Sequence, residues 1–189
     1  MIWHRLSDWI HGITNGRVAL TALITFLLFT ALVLPNQASS VAANSQDAAS
    51  PDTSFYYTAD SLNQIASDYG EEGRDAYIQA RFTFDLIWPL VYAVFLSTSI
   101  SWTYRKAFAQ ESLWQRANIV PVLAALFDYL ENISTSLVML RYPTATPVLD
   151  SLAGIFTLVK WVLVAGSFAL LFIGVILGAT RWVRTKDWR

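Results

Sequence analysis

The chain has no cysteine and only two histidines, His4 and His11, both close to its amino terminus. The first absence excludes disulfides, thiolate metal ligands and thiol redox chemistry. The second excludes a histidine metal centre deeper in the chain. Charge is scarce as well: 14% of the 189 residues are charged, against roughly 25% in soluble domains. A net charge of −1 offers no basic excess to a nucleic acid. There is no phosphate-binding glycine loop, nucleophile elbow or metal-ligand cluster, so neither a cofactor nor a metal is expected. What fills the space is apolar: 54% of the residues, with 14% aromatic. That balance points to a membrane protein.

Four segments approach the roughly 20 residues that cross about 30 Å of hydrocarbon. Residues 17–35 contain Val18–Leu34, a run without charge. Residues 82–104 are apolar apart from Asp85, residues 117–141 carry the polar stripe described below, and residues 152–179 are apolar apart from Lys160. Basic residues set the expected orientation. Arg5 and Arg17 precede the first segment, Arg105, Lys106 and Arg116 mark the connection 105–116, and Arg181, Arg184, Lys186 and Arg189 lie in the tail 180–189. Residues 36–80 hold seven acids against Arg74, and Arg141 is the single basic residue near the connection 142–151. The positive-inside rule then predicts an all-α, four-helix transmembrane bundle with both termini cytoplasmic, in a bacterial inner membrane.

The flanks are read in the same way. Residues 1–16, with Trp3, Trp9 and Ile10 alternating with Arg5, Asp8 and His11, predict an interfacial amphipathic helix. Val18–Leu34 followed by small residues also fits the core of a signal peptide. Residues 36–57, rich in Ser, Ala, Asn, Gln and Asp, predict a flexible outer linker. Residues 58–81 predict an extracytoplasmic amphipathic lid between the first two spans. Thr58 or Asp60 can cap its first helix, Leu62, Ile65, Ala66 and Tyr69 share one face, and Gly70 and Gly73 bracket Glu71–Glu72. In the last span, Gly166, Gly174 and Gly178 predict small-residue packing contacts.

The third span carries the chemistry. Asp128, Glu131, Asn132 and Thr135 recur at i, i+3, i+4 and i+7, so on a helix they form one stripe. A charged side chain at bilayer depth costs about 2.5–3.5 kcal/mol on insertion scales, so something in the fold must offset two acids. Glu131 and Asn132 lie about nine residues, or roughly 13 Å, from the outer end of their span. Lys160 falls at a similar depth in the fourth span and is the expected counter-ion. Asp85 sits nearer the surface, within reach of Arg81 at i−4. Trp88 and Tyr92 share a face of the second span beside Pro89, and Thr157 flanks Lys160 at i−3. Asn132-Ile-Ser134 matches a glycosylation sequon, but at a depth no glycan reaches.

Three readings of this constellation stand side by side. Polar groups on facing membrane helices can simply fix which helices pair, at around 0.6–2 kcal/mol each. Alternatively, three acids facing one lysine leave a carboxyl able to keep a proton, pass it on or bind a cation. That admits a membrane-embedded enzyme with Asp128 and Glu131 as a general acid–base pair acting on a lipid. It equally admits a binding module in which the acids hold a lipid or a small amphiphile. Membrane lipids are the expected partners, with a homo-oligomer or a larger membrane complex also open.

The blocks Gly70-Glu-Glu-Gly-Arg-Asp-Ala-Tyr77, Asp85-Leu-Ile-Trp-Pro-Leu-Val-Tyr92, Pro121–Asn132 and Phe156-Thr-Leu-Val-Lys160 resemble a group of prokaryotic four-span integral membrane proteins of unknown function. The string Asp128-Tyr-Leu-Glu-Asn132 is the most specific part. The resemblance implies that Arg74, Tyr77, Asp85, Asp128, Glu131, Asn132 and Lys160 belong together, and it brings no activity. A weaker analogy is to four-span sterol-isomerase proteins of the emopamil-binding (EXPERA) type, whose pocket also uses intramembrane carboxylates and an asparagine. This chain departs from that pattern in having no intramembrane histidine.

Overall fold

The structure, a computed structural model, describes residues 2–35, 51 and 54–186. Among these residues there are helices and no strands. In chain order they are α1 (Ile2–Ile13), α2 (Gly16–Leu32), α3 (Ala59–Asp68), α4 (Gly70–Arg81), α5 (Phe84–Ala107), a 3-10 segment Leu113–Ile119, α6 (Val120–Arg141) and α7 (Pro147–Lys186). Three helical stretches, Gly70–Ala107, Leu113–Arg141 and Pro147–Arg181, are long and apolar enough to cross a membrane. α1 and α2, bent by 97° at their junction, make a fourth if taken as one span. The described residues thus form an all-helical fold whose long apolar helices suit a membrane. Most of the expected linker 36–57 and the end of the basic tail lie outside the described residues.

The start of the last helix differs from the sequence reading. α7 starts at Pro147, inside the expected outer loop 142–151. Proline suits a first helical position because its missing N–H is unsatisfied there anyway. The Asp150 carboxylate reaches back to the Thr146 hydroxyl and to its backbone N–H (3.3 Å), closing the first turn. The lid leads straight into the second span, as the sequence suggests: α4 passes almost directly into α5 through the turn at Phe82–Thr83.

The helices pack into two compact units. One comprises Met1–Leu27, Val91–Leu123 and Leu163–Arg189. Here Phe95–Ser101 of α5 is buried on every side. Its small residues let neighbouring backbones approach closely, and the Thr98 and Thr103 hydroxyls turn back to the Val94 and Ser99 carbonyls (2.7 and 2.8 Å). Gly174 on α7 shows how close the approach is: a Cβ there would lie 2.6 Å from Thr103 Oγ1 and 2.7 Å from the Tyr104 ring. Tyr104 then donates its hydroxyl to Leu170 O (3.0 Å). At Gly166 and Gly178 a Cβ would meet nothing within 4 Å. The expected three-glycine contact therefore reduces to Gly174 alone.

The same unit holds a neutral polar junction. Ser7 of α1 donates to Asn118 Oδ1 (2.8 Å), and Asn118 Nδ2 donates to Ser101 Oγ (2.9 Å). The Gln115 amide donates to the Tyr104 and Phe108 carbonyls at the end of α5 (3.2 Å each). His11 Nε2 donates to Gln115 O (2.9 Å). Arg105 donates to the His11 (3.1 Å) and Thr14 carbonyls at the end of α1. Asn15 Oδ1 accepts from the N–H groups of Arg17 and Val18 (2.9 and 3.0 Å), capping α2.

The second unit comprises Leu28–Leu90 and Ala124–Val162. Thr58 caps α3 by accepting from Ser61 N (3.2 Å), and Gly70, at φ 62°, lets the chain pivot from α3 into α4. Leu62, Ile65 and Ala66 of α3, Tyr69 just past its end and Tyr77 of α4 pack on Val138 and Met139 of α6 and Ala153 of α7. Asn63 donates to Asp150 (3.1 Å), tying α3 to the start of α7. Arg74 donates to Ala66 O (3.0 Å) and lies over the Tyr142 ring, 4.9 Å from its centre.

Candidate functional site: a buried charged cluster

The site lies in the second unit. One face of α6 carries Asp128, Glu131, Asn132 and Thr135, all buried, with Glu131 only 1% exposed. Their spacing follows from the helical repeat, which places residues three and four apart one above another. Lys160 of α7, itself 7% exposed, brings its ammonium into direct contact with the Glu131 carboxylate. The same Nζ lies 4.0 Å from Asp128 Oδ1. Asn132 Nδ2 approaches Asp128 Oδ1 at 3.5 Å, the outer limit of a hydrogen bond. One ammonium is thus shared unequally by two carboxylates.

A second ion pair sits at the junction of α4 and α5. Arg81 Nη1 and Asp85 Oδ2 are 2.6 Å apart, and both residues are buried. The Arg81 guanidinium also lies over the Tyr77 ring, 4.2 Å from its centre, and Tyr77 meets Tyr69 edge-on at 5.9 Å. Pro89 follows one turn into α5. Its ring lacks the N–H that would bond the Asp85 carbonyl, which loosens this turn. Tyr129 of α6 donates its hydroxyl to the next carbonyl, Leu86 O (2.8 Å). The loosened turn is thereby fastened to the helix that bears Asp128 and Glu131.

The remaining expected residues fall in various places. The Thr135 hydroxyl is satisfied by its own helix, at the Glu131 carbonyl (2.9 Å). Trp88 is half-buried and stacks on Phe29 (5.7 Å between ring centres). Tyr92 is buried but belongs to the other unit. Arg74 serves the α3–α4 joint described above. Thr157 is fully buried and bonds the Tyr57 hydroxyl (3.0 Å) as well as the Ala153 carbonyl (2.9 Å).

That last contact reveals a feature the sequence reading missed. Residues Ser54–Tyr57 run along α7 as a strap. Trp161 Nε1 donates to Ser54 O (3.1 Å), Tyr57 bonds Thr157, and a Cβ at Gly154 would lie 2.1 Å from Tyr57 O. Gly154, Thr157 and Trp161 share one stripe of the helix, immediately beside Lys160. A glycine, a threonine and a tryptophan at this spacing in an apolar helix were the available signal. In sequence it reads as ordinary span composition.

Chemically, the cluster of buried ionisable groups around α6 comprises Asp85, Asp128 and Glu131 against Arg81 and Lys160 among the described residues. If all five were ionised, it would carry one net negative charge. Burial makes every charge in such a cluster costly, so each depends on its neighbours for stabilisation. No group of three or more metal-binding side chains occurs among the described residues. No protein family, curated protein or solved structure matches the chain.

Proposed function

We propose that this is a four-span inner-membrane protein with both termini cytoplasmic, whose α3–α4 lid lies on the outer side and whose charged cluster holds the polar head of an amphiphile. Asp128 is the ligand-facing acid. Glu131 anchors Lys160, and Lys160 holds the two carboxylates together. Arg81 and Asp85 fix the lid end of α5 in the same unit.

One observation carries this reading: two buried carboxylates, Asp128 and Glu131, converge on the single ammonium of Lys160, one in contact and the other at 4.0 Å. Helix pairing alone needs one acid for one lysine. A second buried acid at the same ammonium adds desolvation cost, which the polar head of a ligand offsets. A head that is cationic or rich in hydrogen-bond donors balances the cluster, while its apolar chain finds the lipid-like surroundings of the helices. Lipids and related small amphiphiles combine both properties.

The test uses single-chain amphiphiles of one tail length with choline, glucoside or sulfate heads, each titrated into the purified protein. Binding is read as the rise in thermal unfolding midpoint. The expected order is choline above glucoside, with sulfate giving no stabilisation. Asp128→Asn removes the preference for choline without lowering the midpoint of the unliganded protein. A wild-type protein that responds equally to all three heads contradicts the proposal and leaves the cluster as a helix-pairing device.

A further inference from the structure

In the first unit, α1 presents two different faces. Ser7 and Ile10 are buried beside the 3-10 segment Leu113–Ile119, where Ser7 bonds Asn118 and His11 bonds Gln115 O. Ile2, Leu6, Trp9 and Ile13 recur at i, i+4, i+7 and i+11 and form a separate apolar stripe. That stripe is largely open among the described residues: Ile2 is 78% exposed, Trp9 60% and Ile13 46%, with Leu6 half-buried. Beside it the 3-10 segment exposes Leu113 and Trp114. The polar contacts to the 3-10 segment and the Arg105 cap fix α1 in place, at 97° to α2. With the apolar helix α2 standing along the membrane normal, a helix held at a right angle to it lies in the plane of the bilayer surface.

Charge identifies what that surface must carry. Arg5, Arg17, Lys106 and Arg116 are exposed around this platform, with Lys106 3.5 Å above the Trp102 ring. Segments 2–17 and 105–119 contain five Lys or Arg, Arg105 included, against Asp8 and Glu111. Tryptophan favours the headgroup level of a bilayer, and lysine and arginine reach from there to phosphate. We infer that α1 and the 3-10 segment together form an interfacial platform that selects anionic phospholipid headgroups. The stripe Ile2, Leu6, Trp9 and Ile13 dips below the headgroups, and Arg5, Arg17, Lys106 and Arg116 collect their phosphates. This inference rests on residues separate from the Lys160 cluster, so either can fail without the other.

The absence of cysteine makes a direct test simple. Ile13→Cys and Asp8→Cys, each the single cysteine of the full chain, are labelled with an environment-sensitive fluorophore. The proteins are reconstituted in phosphatidylcholine vesicles with or without phosphatidylglycerol and a lipid-borne quencher. Quenching at position 13 and little at position 8 is expected; equal quenching, or none at either, overturns the stripe assignment. A concentration-dependent dimer that shields position 13 from the lipid quencher overturns it too, in favour of a second copy. For headgroup choice, retained lipid is counted by native mass spectrometry from equal mixtures of the two phospholipids. The Arg5→Gln, Arg17→Gln, Arg116→Gln variant should lose about fivefold of the phosphatidylglycerol preference for each charge removed. An unchanged preference in that variant overturns the anionic selection.

Discussion

The two units bury polar groups in contrasting ways. In the first, the buried network is neutral: Ser7, Ser101, Gln115 and Asn118 exchange hydrogen bonds with one another and with backbone carbonyls at helix ends. In the second it is charged, with Arg81 on Asp85, and Lys160 on Glu131 and Asp128. A neutral network needs only geometry, because its donors and acceptors carry no charge to balance. A charged one must also balance, and its balance can change when a proton or a ligand arrives. The first therefore specifies packing and turns, while the second is suited to respond to something outside the chain.

Substitutions can break this contrast, and the largest effect is expected at Lys160. Lys160→Met removes the ammonium that both acids face, and should destabilise the protein by about 3–5 kcal/mol. Adding Glu131→Gln should recover more than half of that loss, because one uncompensated charge disappears with it. Thermal or denaturant unfolding of the two variants in detergent measures both numbers. Additive losses in the double variant would mean that the two side chains do not share their electrostatics.

A smaller effect is expected from the strap. Gly154→Ala would set a Cβ 2.1 Å from Tyr57 O, so the strap must lift or α7 must shift. The expected cost is about 1–3 kcal/mol. Loss of protection from proteolysis confined to residues around Ser54–Tyr57 would locate the change, and an unaltered digestion pattern would show that the strap does not depend on Gly154. The neutral junction should be the most forgiving. Asn118→Ala deletes its bonds to Ser7 and Ser101, at about 1–2 kcal/mol by the net worth of neutral hydrogen bonds. A loss as large as that of Lys160→Met would erase the distinction between the two networks.

Much of the helical framework was legible in the sequence, because apolar runs of membrane-crossing length with so few charges admit few alternatives. The α3 cap at Thr58 and the pivot at Gly70 were legible for the same local reason: each is written within a few residues. Lys160 meeting Glu131 could be anticipated from matched depth in neighbouring spans. The strap could not, since its contacts link Ser54 and Tyr57 to residues about a hundred positions away and depend on a glycine that looks like span filler. The early start of α7 was present in Thr146, Pro147 and Asp150, but two prolines in one short connection read first as a loop. The neutral junction was hidden as well. Ser7, Gln115 and Asn118 come from segments whose proximity no periodicity reveals.

The measurement that bears most directly on the charged cluster is native mass spectrometry of the protein purified in a mild detergent, compared with its Asp128→Asn variant. The account predicts one amphiphile, bearing a cationic or donor-rich head, retained by the wild type and absent from the variant, with both proteins unfolding at the same temperature once the amphiphile has been stripped away. Identical spectra for the two, or a variant that loses stability while the wild type carries nothing, would contradict it.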